Sequence, residues 1–150
     1  MKRNFFTLFF LVPALTVTMG CSIKYTSSRI MPNAAISPEK NYFVLCHEDD
    51  ARHIDLTLVE EMNAMGLANV TSGFEQDMPD DTDVIVLFED RWMWDITNYL
   101  LMFKVQFRDA SNNILIARGQ SVRTSLARKS VQIMVQEALL GLFNTEAEEV

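Results

Sequence analysis

Tyr99-Leu100-Leu101-Met102-Phe103-Lys104-Val105-Gln106-Phe107-Arg108 is the stretch that decides the fold. Leu101, Phe103, Val105 and Phe107 alternate with Met102, Lys104, Gln106 and Arg108. Successive side chains of a strand point to opposite faces, so this pattern predicts one apolar face and one mostly polar face. Asp109-Ala110-Ser111-Asn112-Asn113 supplies turn-forming residues, and Ile114 to Arg123 is a second strand-like run, so the region reads as a β-hairpin.

Upstream, Asp83-Val84-Ile85-Val86-Leu87-Phe88 is a continuous apolar run, which predicts a central strand covered on both faces. Residues 91–96 either prolong it or form a loop, and Pro79-Asp80-Asp81-Thr82 is a turn before it. A first strand is expected over 42–47. Glu48-Asp49-Asp50 then leads into a helix over 51–65, where Ile54, Leu58, Met62 and Met65 form the apolar stripe and Gly66 the stop. The acids at its start complement the partial positive charge of a helix N-terminus. Leu67 to Val70 fits a short strand. A last helix over 127–143 presents Val131, Met134, Val135, Ala138, Leu139, Leu142 and Phe143, with Ser130 as a cap. The order β-α-(β)-β-β-β-α predicts an α/β (α+β) fold: a single mixed, mainly antiparallel four- or five-stranded sheet with two helices packed on one face.

The N-terminus reads differently. Lys2 and Arg3 precede an apolar run from Phe5 to Thr18, which is short for a membrane span and carries Pro13 within it. Thr18-Met19-Gly20-Cys21 follows and resembles the lipobox of bacterial lipoprotein precursors, with Thr18 where the family usually has Leu. The resemblance implies cleavage after Gly20 and acylation of Cys21. Its partner would be the lipid bilayer, and Ser22, in place of the retention signal Asp, implies the outer membrane. The expected organisation is a signal peptide over 1–20, a lipidated N-terminus and flexible tether over 21–41, a periplasmic domain over 42–143 and an acidic tail over 144–150. The element order over 42–143 looks like small α/β domains of outer-membrane lipoproteins. Some of these, such as lipoprotein activators of cell-wall synthases, act by binding protein partners. No functional residue carries over from that likeness.

The 150-residue chain has a formal net charge of −7, which becomes −9 once Lys2 and Arg3 are removed. That balance disfavours nonspecific nucleic-acid binding, which relies on cations that neutralise phosphates. With Cys21 consumed by lipid, Cys46 stands alone and no intramolecular disulfide is possible. There is no Gly-x-Ser-x-Gly elbow, glycine-rich phosphate loop or His-Glu-x-x-His motif, so neither a catalytic residue nor a cofactor is expected.

Three features remain as candidate sites. Arg91-Trp92-Met93-Trp94 is the most distinctive local sequence, and tryptophan is enriched at interaction hot spots. Alternation places Trp92, Trp94 and Ile96 on one side, either as core or as an exposed edge. Charge is segregated: Glu48 to Asp95 holds fourteen acids against Arg52 and Arg91, whereas Leu100 to Ser130 holds six bases against Asp109. If the hairpin register permits, Lys104, Arg108, Arg118 and Arg123 line one sheet face, a basic surface unless the acidic half pairs with it. Arg91, Trp92, Trp94, Lys104 and Arg108 are therefore the expected partner-binding residues. Finally, His47, Glu48, Asp49, Asp50, His53 and Asp55 are a loop of possible metal ligands in no established spacing. Helix capping accounts for its acids, and small-ligand or metal binding is the alternative.

Overall fold

The computed structural model describes residues 24–48 and 50–143. The elements are β1 (Lys24–Ile30), β2 (Asn41–Leu45), α1 (Ile54–Ala64), β3 (Asn69–Gly73), β4 (Val84–Asp95), β5 (Thr97–Asp109), β6 (Leu115–Arg123) and α2 (Val131–Phe143). They form one six-stranded sheet in the order β1-β6-β5-β4-β2-β3. The expected helices and hairpin are present, but two expectations on the sheet are corrected. It has six strands rather than four or five. It is also mixed rather than mainly antiparallel, because β4–β2 and β2–β3 are parallel while β1–β6, β6–β5 and β5–β4 are antiparallel.

The extra strand is β1. Residues 24–30, expected within a tether, pair with β6 along their whole length, and the backbone N–H of Met31 continues to the carbonyl of Ile116 at 2.8 Å. The sheet therefore includes Lys24–Ile30, ahead of residue 42. The expected signal peptide, the acylated Cys21 and the acidic tail lie outside the described residues.

Phe103, Val105 and Phe107 of β5 are fully buried together with Val84, Val86 and Phe88 of β4. Removing one such side chain from water contributes about 1.5–3 kcal/mol. The two helices lie side by side over this face, where Glu61 of α1 accepts hydrogen bonds from Gln132 and Gln136 of α2 at 2.7 and 2.8 Å. Two glycines set the approach of α2. A Cβ on Gly119 of β6 would collide with the Ala138 carbonyl oxygen, and one on Gly141 would collide with the Ser28 hydroxyl of β1. Among the described residues no α-helix lies on the opposite face of the sheet, where the turn Glu75–Asp77 approaches Phe43 beside Gly73. Ile85 and Leu87 are consequently only half-buried, which corrects the expectation that this run is covered on both sides.

Local capping follows the sequence. Asp50 accepts the N–H of Ile54 at 2.7 Å, and the Ser130 hydroxyl accepts that of Ile133 at 3.3 Å. Gly66 takes φ 96° after α1, a conformation glycine adopts cheaply.

Beyond this body β4 and β5 run on as a two-stranded ribbon. The last β4 residue paired with β2 is Val86, and the last β5 residue paired with β6 is Met102. Within the ribbon Arg91 pairs with Met102 but Trp92 pairs with Leu100, so Leu101 is an extra residue. Such a bulge reverses the alternation beyond it. Leu100 is accordingly the buried residue, and Leu101 is half-exposed.

Candidate functional site

Directly paired residues share a face of the sheet. Lys104 pairs with Gln120, Gln106 with Arg118, Arg118 with Arg29, and Arg91 with Met102. These pairings and the alternation along β5 place Arg29, Arg91, Lys104, Arg108 and Arg118 on the uncovered face. Lys104 meets Glu89 at 3.2 Å, and Arg108 donates to the Gln106 amide oxygen at 3.0 Å and the Asn113 carbonyl at 3.1 Å. Arg29, Arg91 and Arg118 are exposed, with no carboxylate at ion-pair distance among the described residues. The acidic half of the chain thus answers one cation of this face, Lys104.

Arg123 does not join them. It is five residues from Arg118 and on the opposite side of β6, where it is 1% exposed and ion-paired with Glu137 of α2. Ser121 also donates to Glu137 at 2.8 Å. Burial pushes the Glu137 carboxyl up, but the hydrogen bonds from Arg123 and Ser121 and the Arg123 charge outweigh it and hold the pKa below the ordinary glutamate value.

Where β2 ends, the exposed edge of β4 borders a groove of about 650 Å³ lined by His47, Asp50, Arg52, Glu89, Asp90 and Lys104 among others. His47 Nε2 donates to the Phe88 carbonyl at 2.8 Å, and its ring meets the Phe88 ring edge-on at 4.9 Å. Asp50 is engaged as the cap of α1. Asp55 accepts the Cys46 thiol at 3.1 Å and the Ser72 hydroxyl at 2.9 Å. Burial and the Asp55 carboxylate raise the Cys46 pKa to about 11, so at neutral pH it is a protonated thiol and a poor nucleophile. Among the described residues no three His, Cys, Asp or Glu side chains come together as a metal-holding group. Asp49, named in the sequence cluster, lies outside the described residues.

The tryptophan pair is divided by the ribbon. Trp92 packs against the core, with the Arg52 guanidinium 4.0 Å from its ring centre and its indole N–H donating to Asp90. Trp94 is 73% exposed. The expected partner-binding set therefore separates into three places: Arg91, Lys104 and Arg108 on the open face, Trp92 against the core, and Trp94 near the ribbon tip. Sequence reading misses two members of these surfaces. Arg29 sits on a strand whose polar sequence carries no strand signal. Arg128 donates to Thr97 Oγ1 at 2.6 Å, the Asp95 carbonyl at 2.8 Å and the Asp95 carboxylate at 3.2 Å, and lies 4.6 Å from the Tyr99 ring centre. Nothing local marks a contact made across some thirty residues.

The architecture is thus a mixed sheet with helices on one side, and it is shared with known structures. No family model and no curated protein matches the chain. The dodecameric PelC of Paraburkholderia phytofirmans is similar in fold, with a TM-score of 0.62 and 14% identity over 80% of this chain and 97% of that one. A single-residue variant of the same PelC, also a dodecamer, gives 0.60 and 15% over 79% and 98%. A PDZ domain protein from Parabacteroides distasonis aligns at a TM-score of 0.49 and 7% identity, over 84% of this chain and 37% of that one. At these identities the likeness to PelC is one of fold.

Proposed function

We propose that this chain is an outer-membrane-anchored lipoprotein whose domain faces the periplasm and acts as a non-catalytic interaction module for an acidic envelope partner. The observation that carries the binding surface is the uncovered sheet face, where Arg29, Arg91, Lys104, Arg108 and Arg118 outnumber Glu89 in a chain of net charge −7. Concentrating cations on one surface of an acidic protein favours and orients an anionic partner. Support for the anchor comes from the lipobox-like Thr18-Met19-Gly20-Cys21 and the charged, apolar segment before it.

The test is capture of envelope partners by the full-length, membrane-extracted protein beside a Lys104→Glu/Arg118→Glu variant. The variant is expected to lose the partner while melting at nearly the same temperature, and capture by the wild type is expected to weaken with salt. Equal capture by both proteins would remove the open face as the binding surface. Cys21→Ser is expected to leave an unacylated precursor, read by mass spectrometry.

A second reading, a small-ligand lipoprotein, draws on the groove beside His47, whose volume lies in the range of small-molecule sites. It requires a ligand or zinc to raise the melting temperature of the wild type and to do so less for His47→Ala.

A further inference from the structure

The ribbon ends in a group of exposed apolar side chains. Met93 is 46% exposed, Trp94 73% and Ile96 85%, and Leu126, on the loop that Arg128 ties to the tip, is 78% exposed. Ile96 makes the turn between Asp95 and Thr97 with φ 59°. A β-branched residue in the left-handed region is strained by about 1–2 kcal/mol, and glycine or asparagine is the usual solution there. The chain instead keeps a large apolar side chain at the most exposed point of the turn.

The direction of the ribbon is the second observation. Tyr25 of β1 pairs with Val122, which pairs with Met102 of β5, so the start of β1 and the base of the ribbon lie at the same end of the sheet. Only β6 separates the two strands, roughly 10 Å across. Cys21 stands three residues before Lys24, within a reach of about 10 Å. The ribbon extends six residues past Met102, roughly 20 Å at strand rise, to Ile96. The start of β1 and the apolar tip therefore stand at the same end of the sheet.

Charge at this end is divided between its two sides. On the β1–β6–β5 side of this end the carboxylates of Glu89, Asp95 and Glu137 are ion-paired and that of Asp90 accepts the Trp92 indole N–H, while Lys24, Arg91 and Lys129 are exposed cations; the exposed acids Glu48, Glu75 and Asp77 stand on the β2–β3 side. The opposite end gathers Asp80, Asp81, Asp83 and Asp109 around the start of β4 and the end of β5.

We propose that the β4–β5 tip, through Trp94 and Ile96, seats in the headgroup region of the membrane that holds the acylated Cys21, giving the domain a second point of contact and a fixed orientation. This rests on the lipoprotein reading above. Tryptophan suits that layer because its ring is apolar and its N–H finds a polar partner there. Neighbouring cations would meet anionic headgroups.

The chain has two tryptophans, so each can be read alone. Full-length protein is reconstituted into phosphatidylethanolamine/phosphatidylglycerol vesicles containing shallow brominated lipid, as wild type, Trp92→Phe and Trp94→Phe. Flotation with the vesicles reports the anchor, and quenching reports the tip. Trp94 in the Trp92→Phe protein is expected to be quenched by brominated lipid and shielded from aqueous iodide, and Trp92 in the Trp94→Phe protein not to be quenched by the lipid. Should Trp92→Phe fold poorly, the wild type gives the same answer as partial lipid quenching that Trp94→Phe abolishes. Ile96→Asn is expected to reduce the quenching while folding at least as well as the wild type.

Protein that floats with Trp94 open to iodide overturns the tip contact and leaves the anchor standing. Protein that does not float overturns both. Shielding of Trp94 that persists in detergent without vesicles and depends on protein concentration assigns the tip to a second copy instead, and also overturns the proposal.

Discussion

Phe103, Val105 and Phe107 lie beneath two helices, whereas Lys104, Gln106 and Arg108, the residues between them and next to them, face outward from the same strand. On the covered side the constraint is spatial. Gly119 and Gly141 admit α2 so closely that a single methyl group would collide. On the open side no described helix has to be fitted, and Arg29, Arg91 and Arg118 stand without an ion-paired acid among the described residues. The contrast shows how one strand serves two purposes: alternate residues fix the body, and the intervening ones are left to define what it meets.

The comparison is broken most severely from the covered side. Phe103→Ala is expected to lower stability by about 3–5 kcal/mol through lost burial and a cavity, measured by denaturant unfolding. Glu137→Ala, which strands the buried Arg123 guanidinium, is expected to cost about 3 kcal/mol. The same pair predicts a pH dependence. Because the folded Glu137 pKa lies below its unfolded value near 4.5, its contribution is present above that pH and is lost as pH falls through the lower folded value. Glu137→Gln should flatten that part of the stability profile.

Smaller effects come from the ribbon. Arg128→Ala is expected to cost about 1 kcal/mol or less, because its contacts are partly exposed. Faster amide exchange at Asp95 to Tyr99 would report the loosened tip. Arg118→Gln sharpens the contrast most, with a stability change expected within about 0.5 kcal/mol. A larger loss would mean that the open face also holds the fold together.

The parts legible in the sequence are those with local periodicity. Phe103, Val105 and Phe107 of β5, the stripes of both helices and the Ser130 cap follow from spacing alone, as does a cap for α1 among Glu48, Asp49 and Asp50. β1 is hidden because Lys24-Tyr25-Thr26-Ser27-Ser28-Arg29-Ile30 has no apolar alternation; it is held by pairing with β6 and by the fit of Ser28 against Gly141, a contact distant in sequence. Alternation alone puts Leu101 on the buried face, because a bulge leaves no mark in a run of two leucines. Arg118 and Arg123 cannot share a face when β6 is regular between them, yet their burial depends on where α2 places Glu137. The tryptophans share one strand parity but stand at different depths, and depth is set by how far a ribbon projects rather than by its sequence.

His47 has a consequence for how the molecule behaves in company. β4 leaves the shelter of β2 after Val86, and an unpaired strand edge is a template on which another chain can add. The imidazole already occupies the Phe88 carbonyl, the first acceptor past the point where β2 stops pairing. One side chain thus occupies the acceptor that a strand added beside β2 along β4 would meet first.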